Sequence, residues 1–442
     1  MRFLFIHQNF PGQYLRLAQY LRDKGGHSIF GLGEKENIAN RGTLPGITTI
    51  GYPKPSGSGE HIHPYLRSTE AAVRRGQAVA RALFNMKSKG LAPDVISVHP
   101  GWGEALFVRD VFPDVPILMF CEFFFRANEA DLAFDPEFPQ SIDDAISIRI
   151  RNAPQLLSLP SANRYISPTL WQAGRYPECF QQNMTILHDG VDTCHMSPLA
   201  PKEAETVVAV YPLATPGESL LAERWNKPGE KTEMAPAAPP LMLTRQHKVI
   251  TFVARNLEPY RGFHVFMRAL PRILALHPDA HVLIVGSNGN SYSRGLPAGE
   301  SYKARYLEEQ RDKLDLARVH FLGTVSYTAL RDIFRISSAH VYLTYPFVLS
   351  WSILEAMACE ALVIGSKTSP VEEVITHGEN GLLADFFDQD ALVGFLDHAL
   401  TSPEDFAKVR ENARQTVLQH FELASCLEKQ SGLLHSMAQK RL

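Results

Sequence analysis

Short apolar runs bounded by Gly, Pro or Asp alternate with longer segments of helical period along most of this chain. In the first half the runs predict strands at residues 3–6, 28–31, 48–52, 95–98, 117–121, 156–159, 165–166 and 185–187. In the second half they predict strands at residues 249–254, 281–285, 319–322, 340–344, 362–365 and 381–384. Because the runs are continuously apolar, the strands are expected to be covered on both faces, which is typical of parallel sheets flanked by helices.

The alternation occurs twice, and a proline-rich stretch separates the two copies. We predict an α/β fold with two doubly wound domains that face each other across a cleft and bind ligands at the carboxyl ends of their strands. The predicted boundaries are an N-terminal domain at 1–199, a linker or insertion without its own core at 200–247, a second domain at 248–415 and a C-terminal helix at 416–442. The end of the chain either closes the second domain or packs on the first.

Composition restricts the class of protein. The 442 residues are 45% hydrophobic and 21% charged, enough for two cores of ordinary domain size. The net charge of −3 provides no basic field for a nucleic-acid partner. Five scattered cysteines, without a CxxC pattern, indicate reduced thiols in a cytoplasmic protein. The N-terminus lacks a signal-peptide pattern, and no apolar run approaches the roughly 18 residues of a spanning helix.

The most informative stretch is YPFVLSWSILEAMACEALVIGS at residues 345–366, where a loop, an acid-bearing amphipathic helix and a short apolar strand follow one another. This order places Glu355 about one turn into a helix. The exposed N-terminus of such a helix can hold a phosphate group, because its free N–H groups and dipole favour negative charge.

This stretch resembles the donor-site signature of family 4 glycosyltransferases, which are retaining enzymes of the GT-B type with two Rossmann-like domains. Further segments follow in the family's order: FPGQY at 10–14, HDGVD at 188–192, FVARNLEPYRG at 252–262, FLGTV at 321–325 and GENGLL at 378–383. Residues 120–139, which begin FCEFFF, also resemble a bacterial subgroup of the family. The resemblance covers nearly the whole chain apart from residues 200–247.

The resemblance implies a nucleotide-sugar donor whose diphosphate is held by fixed cations rather than by a metal. Arg255 and Arg261 match the Arg and Lys pair that the family uses for this purpose, with Arg in place of Lys at the second position. The alternative interpretation is a pair of solvated surface arginines.

Glu355 matches the second Glu of the family's EX7E pattern, which accepts hydrogen bonds from the ribose hydroxyls. Eight residues earlier the chain has Phe347 where the family has its first Glu. A phenylalanine accepts no hydrogen bond. We therefore expect the donor sugar to be recognised by Ser350, Trp351 and Ser352 with nearby backbone N–H groups, or the activity to be weakened. The alternative for Glu355 is an exposed helical acid.

Three residues of the first domain follow predicted strands. Gly12 lies in the loop after the first strand, where glycine lets backbone approach a donor phosphate or sugar closely. His99 and Glu122 follow two further strands and are the candidate catalytic residues. The alternatives are a strand-end histidine bonded to backbone and an acid that forms a salt bridge with Arg126.

No metal or other cofactor is predicted, because the DxD-like pair Asp388 and Asp390 fits a turn and helix cap better than a metal site. The basic segment 67–89 predicts a helix with a core-facing apolar stripe and a solvated basic face. The alternative is a peripheral contact with anionic lipids at the inner face of a membrane.

The leading hypothesis is a metal-independent retaining glycosyltransferase of the hexosyltransferase type. It moves a sugar from a UDP- or GDP-linked donor to a saccharide or lipid-linked acceptor in cell-surface polysaccharide synthesis. Two alternatives remain: a catalytically weak nucleotide-sugar-binding protein, and a GT-B epimerase that acts on the sugar nucleotide itself.

Overall fold

A computed structural model of the chain describes residues 1–128, 130–200, 205–213, 215, 217–221 and 239–439. The chain divides into two compact units. The first unit contains Met1–Gly190 and the chain from residue 423 onward, and the second contains Val191–Glu422. The two dividing points therefore lie close to, but not at, the predicted boundaries of 199 and 415, whereas no dividing point lies near the predicted boundary of 248.

The first unit contains a seven-stranded parallel sheet in the order β3-β2-β1-β4-β5-β6-β7. Its strands are β1 (Arg2–Ile6), β2 (Ser28–Glu34), β3 (Ile47–Tyr52), β4 (Val95–Val98), β5 (Ile117–Phe120), β6 (Arg164–Ser167) and β7 (Met184–Ile186). Its helices are α1 (Leu15–Asp23), α2 (Lys35–Arg41), α3 (Arg67–Ser88), α4 (Val108–Val111), α5 (Ile142–Arg151), α6 (Ala153–Ser158), α7 (Leu170–Gly174) and α8 (Glu178–Gln181).

The second unit contains a six-stranded parallel sheet in the order β13-β12-β11-β14-β15-β16. Its strands are β11 (Val249–Asn256), β12 (His281–Ser287), β13 (Val319–Gly323), β14 (Ala339–Tyr342), β15 (Val363–Ser366) and β16 (Leu382–Ala384). Its helices are α9 (Phe263–Leu276), α10 (Tyr302–Glu309), α11 (Tyr327–Ile336), α12 (Trp351–Ala358), α13 (Ser369–Glu372), α14 (Gln389–Thr401) and α15 (Ala407–His420). The predicted pair of doubly wound parallel sheets is confirmed.

Side-chain alternation along β1 shows why the first sheet is covered on both faces. Leu4 and Ile6 point to the side where α3 packs, and Phe3 and Phe5 point to the opposite side. The opposite side is covered by α1 and by the C-terminal helix α16 (Leu423–Gln439). The end of the chain therefore belongs to the first unit, one of the two arrangements that the sequence left open.

The described part of residues 200–247 is more ordered than a linker. The described part forms an antiparallel sheet of β8 (Val208–Pro212), β9 (Ser219–Leu221) and β10 (Leu241–Leu243), in the order β10-β8-β9. Val210 and Leu243 are fully buried in the same hydrophobic cluster as Val249 of β11. β9 follows β8 closely in sequence, but β10 pairs with β8 from a distant segment, so a local pattern could not predict the whole sheet. The prolines at 201, 216, 228 and 236 lie outside the described residues.

The strand predicted at residues 156–159 is wrong, since these residues lie in α6 and the 3-10 turn after it. Pro154 occupies the start of this helix, a position that proline favours. Gln155, Ser158 and Leu159 are buried while Leu156 and Leu157 are exposed, a helical spacing. A run of four residues is too short for periodicity to separate helix from strand.

The predicted helix at 67–89 is present as α3. Its core-facing stripe is buried as expected: Ala72, Gly76, Val79, Leu83 and Met86. Within the described part of the chain, none of the helices combines the length and the apolar composition needed to span a bilayer.

Gly262 provides a test of how tightly the second unit is packed. It has a φ of +67°, and a Cβ there would lie 2.2 Å from Cβ of Leu343. We expect Gly262→Ala to lower the free energy of unfolding by about 1–3 kcal/mol, because it combines backbone strain with this clash. Urea denaturation followed by circular dichroism measures the change.

Gly394 is the matched control, because it lies in α14 of the same unit and a Cβ added there would meet no atom within 4 Å. Gly394→Ala should raise the free energy of unfolding by up to about 1 kcal/mol through helix propensity. Equal effects of the two substitutions would contradict the packing described for Gly262.

Candidate functional site

Glu355 lies in α12, which begins directly after the loop that follows β14. The Oγ atom of Ser350 caps this helix by accepting a hydrogen bond from the N–H of Ser352. Glu355 is only 7% exposed, and burial raises the pKa of its carboxyl to about 7 against the opposing effect of a hydrogen bond with Tyr327. The interpretation of Glu355 as an exposed helical acid is therefore wrong. Trp351, at the first helical position, is 47% exposed.

The two candidate arginines have different environments. Arg255 is exposed and lies where the pairing of β11 with β12 shifts register, between Val253 and Asn256. Such irregularities turn a side chain out of the regular alternation of a strand. Arg255 is thus a cation at the carboxyl end of β11.

Arg261 is half-buried and holds the loop after β14 in place. Its Nη1 atom donates to Thr344 Oγ1 at 2.9 Å and to the carbonyl oxygen of Val348 at 3.1 Å. A weaker contact of 3.4 Å joins it to the hydroxyl of Tyr342. Arg261 is therefore not a solvated surface arginine; it connects the segment after β11 to the loop that leads into α12.

Phe347 belongs to an aromatic cluster beside Arg261. Its ring centroid lies 4.8 Å from that of Tyr292 and 5.5 Å from that of Tyr260. The guanidinium of Arg261 lies 5.8 Å from the Phe347 ring and 5.6 Å from the Tyr292 ring, within cation–π range. Phe347 thus has its own packing partners, and its place in the loop is structural.

Glu258 is a further acid of the second unit that the sequence did not single out. It is 1% exposed, and its Oε2 accepts backbone N–H groups of Tyr292 at 3.0 Å and Ser293 at 2.8 Å. It therefore fixes the loop after β12 that carries Tyr292. The sequence signal that could have identified Glu258 is its position inside the FVARNLEPYRG segment.

In the first unit, Gly12 lies in the turn after β1 with a φ of +47°. A Cβ at this position would lie 2.9 Å from atoms of the His7 ring, so glycine lets the turn pass close to that ring. Burial and the neighbouring His99 lower the pKa of His7 well below its ordinary value. His7 was missed by sequence reasoning, although it ends the apolar run of β1.

His99 and Glu122 are brought together as a hydrogen-bonded pair. The Nδ1 atom of His99 accepts the N–H of Gly101 at 3.0 Å, so the proton of a neutral ring is on Nε2. Nε2 lies 3.2 Å from Oε2 of Glu122 and donates to it. The Trp102 ring stacks on His99 at a centroid distance of 4.3 Å. The strand-end interpretation of His99 thus holds for Nδ1, which binds backbone, while Nε2 binds a carboxylate.

Glu122 remains accessible, with 40% of its side chain exposed. Arg126, its predicted salt-bridge partner in the alternative interpretation, donates to the carbonyl oxygens of Gly174, Arg175 and Tyr176. Asp189 is electrostatically coupled to Glu122: burial, with a smaller contribution from Glu122, raises the pKa of Asp189 to about 8. Sequence reasoning assigned no role to Asp189, although it lies in the HDGVD segment.

A buried charge network supports the turn after β1. Oε1 of Glu104 accepts the N–H of Gln8 at 3.1 Å, and the carbonyl oxygen of Gln8 accepts the N–H of Glu34. Arg75 lies 2.9 Å from Glu34 and 3.8 Å from Glu104. Both backbone groups of Gln8, the residue after His7, are thus hydrogen-bonded. These bonds fix the turn relative to β2 and to the loop after β4.

Comparison with known proteins identifies both halves of the chain. Residues 25–196 match the family model described as glycosyl transferase family 4 group, and residues 242–416 match the model described as glycosyl transferases group 1. The chain therefore carries a family 4 and a group 1 glycosyltransferase domain. Gly12 and His7 precede the region matched by the family 4 model, whereas His99 and Glu122 lie inside it. Arg255, Arg261 and Glu355 lie inside the group 1 domain.

Curated relatives share moderate similarity with parts of this chain. A D-inositol 3-phosphate glycosyltransferase of Rhodococcus jostii (strain RHA1) is 28% identical over 227 residues, which are 51% of this chain and 46% of the relative. A phosphatidyl-myo-inositol mannosyltransferase of Mycolicibacterium smegmatis is 30% identical over 161 residues, which are 35% of this chain and 37% of the relative. The chain thus matches less than half the length of either relative.

Solved structures resemble the fold over almost the whole chain. The sucrose-phosphate synthase of Thermosynechococcus elongatus has a TM-score of 0.70 at 14% identity and covers 99% of both chains. Anabaena Alr3699/HepE, solved in complex with UDP and glucose, has a TM-score of 0.62 at 16% identity and covers 99% of this chain and 100% of its own. At these identities the likeness concerns the fold, and it agrees with the predicted pair of Rossmann-like domains.

The raised pKa of Glu355 makes the stability of the second unit pH-dependent. The fold disfavours the ionised form of Glu355. Below the ordinary pKa of 4.5 the carboxyl is protonated in both the folded and the unfolded state, so it does not lower stability, and stability is lost as the pH rises towards the folded pKa of about 7. Relative to Glu355→Gln, the wild type should lose up to about 3 kcal/mol between pH 4.5 and pH 8. Thermal unfolding of both proteins across this range measures the difference.

The exposed Glu379, in the same unit, supplies the control. The unfolding curve of Glu379→Gln should follow that of the wild type at every pH. Parallel pH profiles for the wild type and Glu355→Gln would show that the carboxyl of Glu355 is not held in a desolvated state.

Proposed function

We propose that this protein is a retaining hexosyltransferase that uses a UDP- or GDP-linked sugar as donor. The observation that carries the proposal is the buried carboxylate of Glu355, set one turn into α12 and reached through a loop that Arg261 holds. Both lie in the domain that matches the group 1 glycosyltransferase model. The acceptor is a saccharide or a lipid-linked saccharide in cell-surface glycan synthesis.

The donor diphosphate requires positive charge that does not depend on a metal. Arg255 supplies an exposed cation, Arg261 a cation in a fixed position, and the N-terminus of α12 a set of oriented N–H groups. Glu355 accepts hydrogen bonds from the ribose hydroxyls, and Ser350, Trp351 and Ser352 lie where the donor sugar is expected. Metal independence is part of the proposal.

The first unit provides the acceptor side of the proposal. The hydrogen bond from His99 orients Glu122, and the exposed part of that carboxylate can position an acceptor hydroxyl. In a same-face substitution the leaving phosphate takes the acceptor proton, so no enzymic nucleophile is needed. His99 and Glu122 are thus positioning groups for the acceptor.

Two comparisons support the choice of substrates. Alr3699/HepE was solved with UDP and glucose, which supports a nucleotide of the UDP type. The curated relatives are named for acceptors that contain inositol phosphate or phosphatidylinositol, which supports an acceptor with a polar, phosphorylated head.

A second candidate, a catalytically weak nucleotide-sugar-binding protein, is favoured by Phe347. This ring packs against Tyr292 and Arg261, so the loop provides no carboxylate at that position. The absence of a carboxylate at position 347 would leave nucleotide binding intact, since that binding depends on Arg255 and Glu355. Sugar recognition would lose a hydrogen-bond acceptor.

A peripheral membrane contact at the cytoplasmic face is the proposed location of the reaction with a lipid-linked acceptor. On the outer surface of α3, Phe84 is 65% exposed and Val73 is 40% exposed, beside the exposed cations Arg67 and Lys87. Apolar and basic groups on one helix surface are typical of helices that lie on anionic bilayers.

Nucleotide binding tests the donor site directly. We expect Arg255→Ala and Glu355→Ala each to weaken UDP or GDP binding at least tenfold, because each removes a charge-assisted hydrogen bond of about 1.5–3 kcal/mol. Isothermal titration calorimetry with UDP, GDP and their sugar derivatives measures the affinities.

Arg272→Ala is the matched control. Arg272 lies in α9 of the same unit and forms an exposed ion pair with Asp390, so its loss should change affinity less than twofold. If nucleotide affinity were unchanged in Arg255→Ala and Glu355→Ala, the donor site would lie elsewhere.

A donor panel separates the candidate functions. With UDP- and GDP-sugars, a transferase releases nucleotide faster when an acceptor saccharide is present, and its product keeps the donor's anomeric configuration by NMR. Glu122→Gln should lower the rate of transfer with donor affinity unchanged. Nucleotide binding without turnover would support the weak binder, and an isomerised sugar nucleotide would support the epimerase.

A further inference from the structure

The first unit contains a cavity of about 710 Å³ between α3 and the sheet edge formed by β2 and β3. This volume is within the roughly 300–1,000 Å³ that is usual for small-molecule sites. The candidate residues Gly12, His99 and Glu122 do not line it. The cavity is therefore separate from the candidate site residues of the first unit.

The walls of the cavity are apolar. Phe30 and Ile50 line it from the sheet, and Ala78, Ala82 and Met86 line it from α3. The two alanines are one helical turn apart, so their small side chains leave open space along the helix. Phe30 and Ile50 are only partly buried, although they contact the core cluster on this face of the sheet. An apolar ligand would complete their burial.

The polar residues at the cavity carry positive charge. Arg2, Lys35, Arg81 and Lys89 line it, and among the described lining residues none is an Asp or Glu. Arg2 lies 4.0 Å from Asp94, whose side chain is 24% exposed. For Lys35, Arg81 and Lys89 the described part of the chain provides no ion-pair partner. Three lining cations without an acid among the described lining residues favour an anionic ligand.

Arg2 and Lys89 lie at the end of the cavity where β1 begins and α3 ends, whereas Lys35 follows the carboxyl end of β2. Arg2 begins β1 and shares the face of Leu4 and Ile6, which is the face that α3 covers. Lys89 directly follows α3, and Arg81 lies about two turns earlier in the helix. Cations at the Arg2 end and apolar walls at Phe30 and Ile50 match a molecule with an anionic head and a hydrocarbon chain.

We propose that this cavity binds a single-chain anionic amphiphile, with its head at Arg2, Arg81 and Lys89 and its alkyl chain along Phe30, Ile50 and the alanines of α3. The proposal does not depend on the donor assignment, because the cavity lies wholly within the first unit and shares none of the proposed donor residues. A peptide added to the edge strand β3 would need main-chain pairing rather than an apolar slot beneath a helix, and the charge pattern favours the amphiphile.

The test uses the full-length protein without vesicles, with cis-parinaric acid as a fluorescent probe and dodecyl phosphate as competitor below its micelle concentration. We expect saturable binding of one probe per chain and its displacement by dodecyl phosphate. Arg81→Glu combined with Lys89→Glu should weaken dodecyl phosphate at least about tenfold, and Ala82→Trp should weaken both ligands at least about tenfold by filling the cavity.

Arg67→Glu is the matched control, because Arg67 is exposed on the same helix but does not line the cavity. It should change affinity less than twofold. Both charge reversals are at exposed positions, so they remain informative if Ala82→Trp unfolds, which circular dichroism would show.

Three results would overturn the proposal. If the neutral dodecyl maltoside displaced the probe as well as dodecyl phosphate does, the cations would have no role in binding. If inorganic phosphate did so, the apolar walls would have no role. Loss of affinity in Arg67→Glu as large as in the cavity variants would place the amphiphile on the outer surface of α3 instead.

Discussion

Parallel strand pairing is the constraint on which the candidate site depends, because it brings the carboxyl ends of neighbouring strands to one edge of a sheet. In the first unit β1, β4 and β5 are neighbours, so His7, His99 and Glu122 follow adjacent strands. In the second unit β11 and β14 are neighbours, and the hydrogen bonds of Arg261 join the segments that follow them. The chemistry is thus positioned by strand order rather than by closeness in sequence.

This constraint explains how much the sequence could predict. Continuous apolar runs predict parallel strands, and polar residues directly after them, such as His99 and Glu122, are then expected at the site. Contacts that join distant segments could not be predicted in this way. The hydrogen bond between His99 and Glu122 and the packing of Phe347 on Tyr292 both depend on tertiary structure. His7 was overlooked because it ends an apolar strand and is buried like a core residue.

Burying an ionised carboxyl group destabilises the fold unless the group is neutralised or paired, and the buried carboxyl groups of the two units differ in their partners. Glu104 lies near Arg75 and accepts the N–H of Gln8, but burial still raises its pKa. Its contacts are all internal, which fits a structural role in holding the turn after β1. Glu355 has a raised pKa and a hydrogen bond with Tyr327, and among the described residues no cation forms an ion pair with it. Ribose hydroxyls would stabilise the ionised carboxylate, so ligand binding would relieve an existing penalty.

Phe347 changes what Arg261 can contribute. A carboxylate at position 347 would lie beside the guanidinium and neutralise part of its charge. The Phe347 ring contacts the guanidinium of Arg261 through cation–π attraction. The guanidinium donates its hydrogen bonds to the neutral oxygens of Thr344, Val348 and Tyr342. The guanidinium therefore keeps its full charge in a fixed position. In the proposed donor site this arrangement would increase attraction for a diphosphate and decrease hydrogen-bond acceptance from a sugar, so we expect donor affinity to depend more on the nucleotide diphosphate than on the identity of the sugar.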